Sequence, residues 1–311
     1  MSEVVVILNC RAGSQAAENV SDRVSAVFRA AGIDAELIVA GQGVDVGDAA
    51  KGAIEGGATM VVAGGGDGTI NAVASAVVGT GATLGVLPLG TLNHFARDLS
   101  IPMDLEAALR NLVEGRDATI DAGEVNGRVF INNSSLGLYP NLVHHREQQQ
   151  MRLGRSKWAA LFWSALLMLR RYPLLRVRIV VEGKELTAKT PLVFIGNNEY
   201  VMSGLDIGIR ERLDSGSLSL YMPRLQGRFG LLRIALRALF KKQRRADDFV
   251  ALHAREFTIE TTKKLVRVAT DGEVAVSSTP LQYRIRAAAL KVRVPIRVPA
   301  EVSAEVSRKE P

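Results

Sequence analysis

Two short stretches combine glycine with groups able to handle an anion. The first is Gly64-Gly65-Gly66-Asp67-Gly68-Thr69, preceded by the apolar run Val61 to Ala63 and followed by Ile70 to Val78. Glycines at the end of a strand and the start of a helix let backbone N–H groups approach an anion, and the positive end of the helix faces the same point. They also allow backbone with φ > 0 there. Asp67 would repel a phosphate unless a cation lay between them, so it points to Mg²⁺ carried by a nucleotide. A tight turn with an aspartate cap is the alternative that this stretch alone leaves open. The second stretch, Asp271-Gly272-Glu273, has the composition of a hairpin turn decorated with acid.

The elements that must position these residues are legible from periodicity. Strands are expected at residues 3–9, 34–40, 61–65 and 84–88, and helices at 15–31, 45–56, 70–78 and beyond Gly90. Strand–helix alternation predicts a doubly wound parallel sheet, whose ligand crevice lies at the strand C-termini. Three turns fall at that edge: Asn9 to Ser14, Gly64 to Thr69 and Gly90 to Asn93. Each mixes glycine with Asn, Thr or Ser, which suits an extended polyphosphate. Neither G-x-G-x-x-G nor G-x-x-x-x-G-K-[ST] occurs. Beyond Gly123 short alternating apolar runs (128–132, 175–181, 192–195, 218–222, 257–260, 266–269, 281–285, 290–294) predict an antiparallel β-sandwich. The expected domains are residues 1–122, an α/β nucleotide-binding domain, 123–298, the sandwich, and 299–311, a polar disordered tail.

Charge divides at the same place. Residues 1–125 carry 7 Lys+Arg against 16 Asp+Glu, net −9, and the remainder carries 32 against 16, net +16. Segments 151–170 and 228–245 set apolar residues beside basic ones, as in helices lying on an anionic membrane, or in helices packed on the sheet with snorkelling arginines. The basic part lacks the aromatics of a nucleic-acid binder, so no nucleic-acid partner is expected. The lone Cys10 suits a reducing compartment. No export signal is evident, and the longest other apolar run, 158–169, is too short to span a bilayer. A cytoplasmic protein, peripherally attached to the inner face of the membrane, is expected.

Asn9-Cys10-Arg11-Ala12-Gly13, Gly65-Gly66-Asp67-Gly68-Thr69, Pro88-Leu89-Gly90-Thr91-Leu92-Asn93-His94 and Asp271-Gly272-Glu273 together resemble the signature series of the diacylglycerol kinase catalytic-domain family, which includes sphingosine and ceramide kinases and soluble bacterial lipid kinases. The resemblance implies an ATP- and Mg²⁺-dependent kinase acting on a hydroxyl of a diacylglycerol-like or sphingoid lipid. It implies a nucleotide site built from Asn9, Arg11, Gly13, Gly64, Gly65, Gly66, Asp67, Gly68, Thr69, Gly90, Thr91 and Asn93. It further implies metal-organising carboxylates at Asp67 and Asp121, a weaker metal candidate at Asp214, and Glu273 as proton acceptor supported by Asp271, with Asp67 counted in the catalytic set. The alternatives are an NAD kinase-like enzyme with a soluble acceptor, and a catalytically inactive protein that binds nucleotide or anionic lipid. A homodimer is compatible with the sequence. The chain departs from the family pattern at Cys10, usually proline, at Gln15 and Ala40, at Ser215, and at His94, which replaces an aspartate.

Overall fold

The structure is a computed structural model, and it describes residues 2–9, 14–40, 44–137, 174–203, 206–223 and 249–296. The segments 151–170 and 228–245, Cys10, Arg11, Gly13 and the tail 299–311 lie outside the described residues. The chain divides into two compact units, residues 1–119 with 290–311, and residues 120–289.

The first unit alternates strand and helix: β1 (Val4–Leu8), α1 (Ser14–Ala30), β2 (Ala35–Val39), α2 (Val46–Glu55), β3 (Met60–Gly65), α3 (Asp67–Val77), β4 (Thr83–Pro88), α4 (His94–Asp98) and α5 (Leu105–Glu114). The strands pair in parallel in the order β2-β1-β3-β4. β1, β3 and β4 are buried along their whole length, which is why their sequences are continuous apolar runs without alternation. One face of the sheet is packed by α1 and α5 through Val24, Phe28, Leu109 and Leu112. Asp45 and Asp104 cap α2 and α5 by accepting the backbone N–H groups of Asp48 and Ala107. Sequence reading placed no helix at 105–114.

The chain leaves the first unit within β5 (Arg116–Val125) and returns within β18 (Leu281–Val294). Near its end β18 pairs in parallel with β4, Lys291 opposite Thr83 and Val292 opposite Leu84. Periodicity had read 281–285 and 290–294 as two runs of the second domain. They form one 14-residue strand, and its last residues complete the first unit's sheet.

The second unit continues with β6 (Arg128–Phe130), β7 (Asn133–Gly137), β8 (Leu175–Val181), β9 (Lys184–Thr190), β10 (Leu192–Asn197), β11 (Val201–Ser203), β12 (Asp206–Ile209), β13 (Leu218–Pro223), β14 (Phe249–Ala254), β15 (Glu256–Thr261), β16 (Leu265–Thr270) and β17 (Glu273–Ser278). One sheet runs β14-β13-β10-β7-β16-β17, and facing it are β18, β15, β8 and β9 with β5 and β6. Phe130, Val177, Ile179, Phe257, Leu281 and Tyr283 from one layer share a core with Leu136, Ile195, Leu220 and Val268 from the other, so this unit is an antiparallel sandwich. The runs read from sequence did not include β7, β9, β11, β12, β14 or β17; in β9 and β17 exposed polar positions blur the apolar alternation.

Three of its hairpins close with two-residue turns, Asn126-Gly127, Glu182-Gly183 and Asp271-Gly272, with both residues at positive φ in each. That is the turn whose twist matches paired strands.

Candidate active site

In the first unit the loops at the C-terminal ends of β1, β3 and β4 converge. Asn9 donates its backbone N–H to the Gly64 carbonyl (2.8 Å), and Leu89 donates to the Gly65 carbonyl (3.0 Å). The Asn9 side-chain amide donates to Thr69 Oγ1 at 3.0 Å. None of Gly64, Gly65, Gly66 or Gly68 has positive φ, against the expectation from sequence. The glycines serve close approach. A Cβ on Gly65 would lie 2.6 Å from Thr69 Oγ1, one on Gly64 2.3 Å from Leu8 Cδ2, and one on Gly90 2.5 Å from the Gly66 Cα. The β3–α3 and β4–α4 turns therefore touch backbone to backbone.

Gly66 is the N-cap of α3 in extended backbone, with no side chain capping the helix. Its first N–H groups and its positive end are left to an external anion. Asp67, the first helical residue, has a buried Oδ1 with no hydrogen-bond partner. Thr91 and His94 are exposed. Asn93 sits at φ 50° and spends its amide on the turn: Oδ1 accepts from the Gly90 N–H (3.0 Å), and Nδ2 donates to the carbonyls of Gly90 (2.8 Å) and Pro88 (3.3 Å). This side chain braces the loop and is not free to reach a ligand.

In the second unit Asp271 opens the β16–β17 turn at φ 49°. Its Oδ2 accepts the N–H of Ile131 (2.7 Å), and its Oδ1 those of Asn132 and Asn133 (both 2.9 Å). Burial pushes this carboxyl from its ordinary 3.8 up to about 6, against the opposing pull of those three N–H groups and of Arg210. Glu273, two residues on, is half-exposed and pairs with Arg128 at 2.7 Å. Arg210, itself buried, donates to the Ile131 carbonyl (2.7 Å) and the Asn132 side chain (2.7 Å), holding the same 131–133 segment. Asn197 joins that segment to β5 by donating to the carbonyls of Ile131 and Asp121.

Asp121 is buried, with Oδ2 accepting from Asn198 Nδ2 and the Gly216 N–H (both 2.7 Å) and Oδ1 from the Ala288 N–H (2.8 Å). Asp214 is exposed and pairs with Arg212 at 3.0 Å. Among the described residues no group of three His, Cys, Asp or Glu side chains gathers as a metal would require. Of the expected carboxylates, Asp67 keeps a buried Oδ1 without a partner, both Asp121 oxygens accept hydrogen bonds, and Asp214 pairs through Oδ1 alone. Asp121 acts as a structural tie.

Sequence reading missed Arg128, Arg210, Asn197 and Asn198. The Asn126-Gly127 pair was a hairpin signal that placed Arg128 on a strand. Nothing in the sequence distinguished Arg210 from other arginines.

A parallel-sheet α/β unit with an uncapped helix N-terminus at its glycine turn and an antiparallel sandwich define the α/β plus all-β class of fold. Residues 3–125 match the diacylglycerol kinase catalytic domain, and residues 141–294 match the YegS C-terminal NAD kinase beta sandwich-like domain. The two matches lie in sequence along the chain, a domain of the diacylglycerol kinase catalytic type followed by one of the YegS C-terminal type. It is similar to the protein named "Probable lipid kinase YegS-like" from Klebsiella pneumoniae, 52% identical over 80 residues, which is 25% of this chain and 27% of that one. The namesake from Yersinia pestis (strain Pestoides F) is 47% identical over 83 residues, 25% of this chain and 28% of that one. The matched stretch thus spans about a quarter of those relatives' length. The fold resembles a crystal structure titled as a diacylglycerol kinase from Bacillus anthracis, with TM-score 0.69 and 22% identity, covering 96% of this chain and 98% of that one.

Proposed function

We propose that the chain is an ATP-dependent lipid kinase that transfers the γ-phosphoryl group to a hydroxyl of a diacylglycerol-like or sphingoid lipid. The observation that carries this reading is the uncapped N-terminus of α3, framed by Gly64 to Gly66 and Gly90 and bearing the unpartnered Asp67 oxygen. Backbone N–H groups of Gly66 to Thr69 would hold the ATP phosphates, with the Thr91 hydroxyl within the same turn cluster. Arg11 and Gly13 belong to the proposed nucleotide site by family resemblance. The Asp67 oxygen fits Mg²⁺, which when bound offsets charge on the β- and γ-phosphate oxygens. Asp121 fits it less well, since both its oxygens accept hydrogen bonds, and Asp214 remains a weaker candidate, exposed and paired with Arg212 through one oxygen.

In the proposed reaction the lipid oxygen forms a bond to the γ-phosphorus, the bond from that phosphorus to the ADP oxygen breaks, and Glu273 accepts the hydroxyl proton. Arg128 holds the Glu273 carboxylate from one side, and the three N–H groups on Asp271 fix the turn that presents it. The net +16 beyond residue 125 favours an anionic membrane surface as the place where substrate is met, on the cytoplasmic side. No helix among the described residues is long and apolar enough to cross a membrane.

The test is transfer of label from γ-labelled ATP to lipids in mixed micelles, with wild type beside Asp67→Ala and Glu273→Ala. Labelled lipid that falls by about 10²-fold or more in each variant is expected. No labelled lipid while ATP still binds would sink the kinase reading, and label on NAD in place of lipid would move it to a soluble acceptor.

A further inference from the structure

We propose that Asn71 shares with Asp67 the water shell of one divalent cation at the start of α3. Asn71 is 5% exposed, and its Oδ1 is buried with no hydrogen-bond partner, as is Asp67 Oδ1. The two residues stand four apart on one helix, so they lie on one face. Helical side chains lean toward the N-terminus, which carries the Asn71 amide toward Asp67 and the uncapped turn.

An unpaired buried amide oxygen is costly. Ile70, Val73, Ala74 and Val77 around it are apolar and fully buried, so a leucine at position 71 would pack without that penalty. A carboxylate oxygen and an amide oxygen one turn apart, both acceptors lacking donors, match a hydrated Mg²⁺ ion, which gives up its waters reluctantly and presents them as donors. The sequence had singled out Asp67 alone, reading Asn71 as part of a helix-like apolar pattern. The inference rests on the kinase reading only for the nucleotide that would bring the cation.

The probe is Mn²⁺, titrated into the full chain with and without ADP and followed by loss of the free-ion electron paramagnetic resonance signal. Urea midpoints are measured without metal. In Asn71→Leu, Mn²⁺ affinity is expected to fall about tenfold, while the metal-free midpoint stays at or above that of wild type. Asn71→Asp should bind Mn²⁺ at least as tightly as wild type and be less stable without metal, because carboxylates at i and i+4 repel. Asp67→Asn should lose Mn²⁺ as Asn71→Leu does. Unchanged Mn²⁺ affinity in Asn71→Leu, weaker affinity in Asn71→Asp, or no Mn²⁺ binding by wild type would each overturn the proposal. The two readings fail separately. Lipid phosphorylation with Mn²⁺ affinity indifferent to Asn71→Leu keeps the kinase and removes this role, and the expected Mn²⁺ pattern without phosphate transfer does the reverse.

Discussion

Gly66 and Gly90 face each other across two turns, yet only one of them is fixed by packing. A methyl on Gly90 would sit 2.5 Å from the Gly66 backbone, which cannot yield, whereas a methyl on Gly66 meets nothing nearer than 3.5 Å. Gly90→Ala should therefore cost about 1–3 kcal/mol. Gly66→Ala should stay within about 0.5 kcal/mol of wild type in a urea titration, while the added methyl, beside the N–H proposed to meet phosphate, should weaken ATP binding. Asp271 gives a second test. Its folded value of about 6 lies above its ordinary 3.8, so folding favours the protonated form. The unfolded chain releases this proton first as pH rises, and the group's contribution, full below 3.8, is lost as pH passes through about 6. Urea midpoints should show that decline in wild type, and the difference curve against Asp271→Asn should isolate it. A flat difference between pH 4 and 6 would mean that the three N–H groups outweigh burial.

At the scale of elements, the end of β18 is held to the first unit by a cluster of polar contacts. Arg293 pairs with Asp117 (2.8 Å) and donates to the Gly115 carbonyl (3.1 Å), and Thr83 donates to the other Asp117 oxygen (3.0 Å). Arg293→Ala should cost on the order of 1–2 kcal/mol. Ending the chain at Ala289 removes Leu290, Val292 and Val294, all buried, each worth about 1.5–3 kcal/mol. That sum rivals the whole stability of a typical domain. The helix signal of the shortened protein, which comes from the first unit, should lose its cooperative transition by circular dichroism, while the strands of the second unit, residues 120–289, keep theirs. The sequence displayed β1, β3 and β4 because strands buried on both faces are unbroken apolar runs. It displayed the glycine turns because glycine marks close backbone contact. Sequence reading passed over α5, although its Asp104 cap and amphipathic pattern are local signals, while the polar edge strand β9 and the destination of β18 depend on nonlocal pairing that leaves no local trace. The site was legible where motif and geometry coincide, at Gly64 to Thr69 and Asp271 to Glu273. At Asp121 the sequence could not show that a buried carboxylate takes three N–H donors, because such a residue has the same letter as one awaiting a metal.

For the molecule as a whole, charge is the feature most open to experiment. The acidic first 125 residues and the basic remainder predict that vesicles rich in anionic lipid retain the protein at low salt. Raising salt to about 0.5 M should release it, since screening then acts within a few ångströms. Retention that ignores salt would point to apolar insertion as the main force. The return of β18 also bears on synthesis. Residues 120–289 form the second unit and leave the ribosome before residues 290–294, so the first unit waits for its last strand until the second unit has been made. A nascent or prematurely stopped chain would carry a finished sandwich and an unfinished α/β unit with the flank of β4 bare. The sheet that carries the β3–α3 turn would thus be completed only in chains translated past the sandwich, so a chain stopped earlier would offer proteases an open edge at β4.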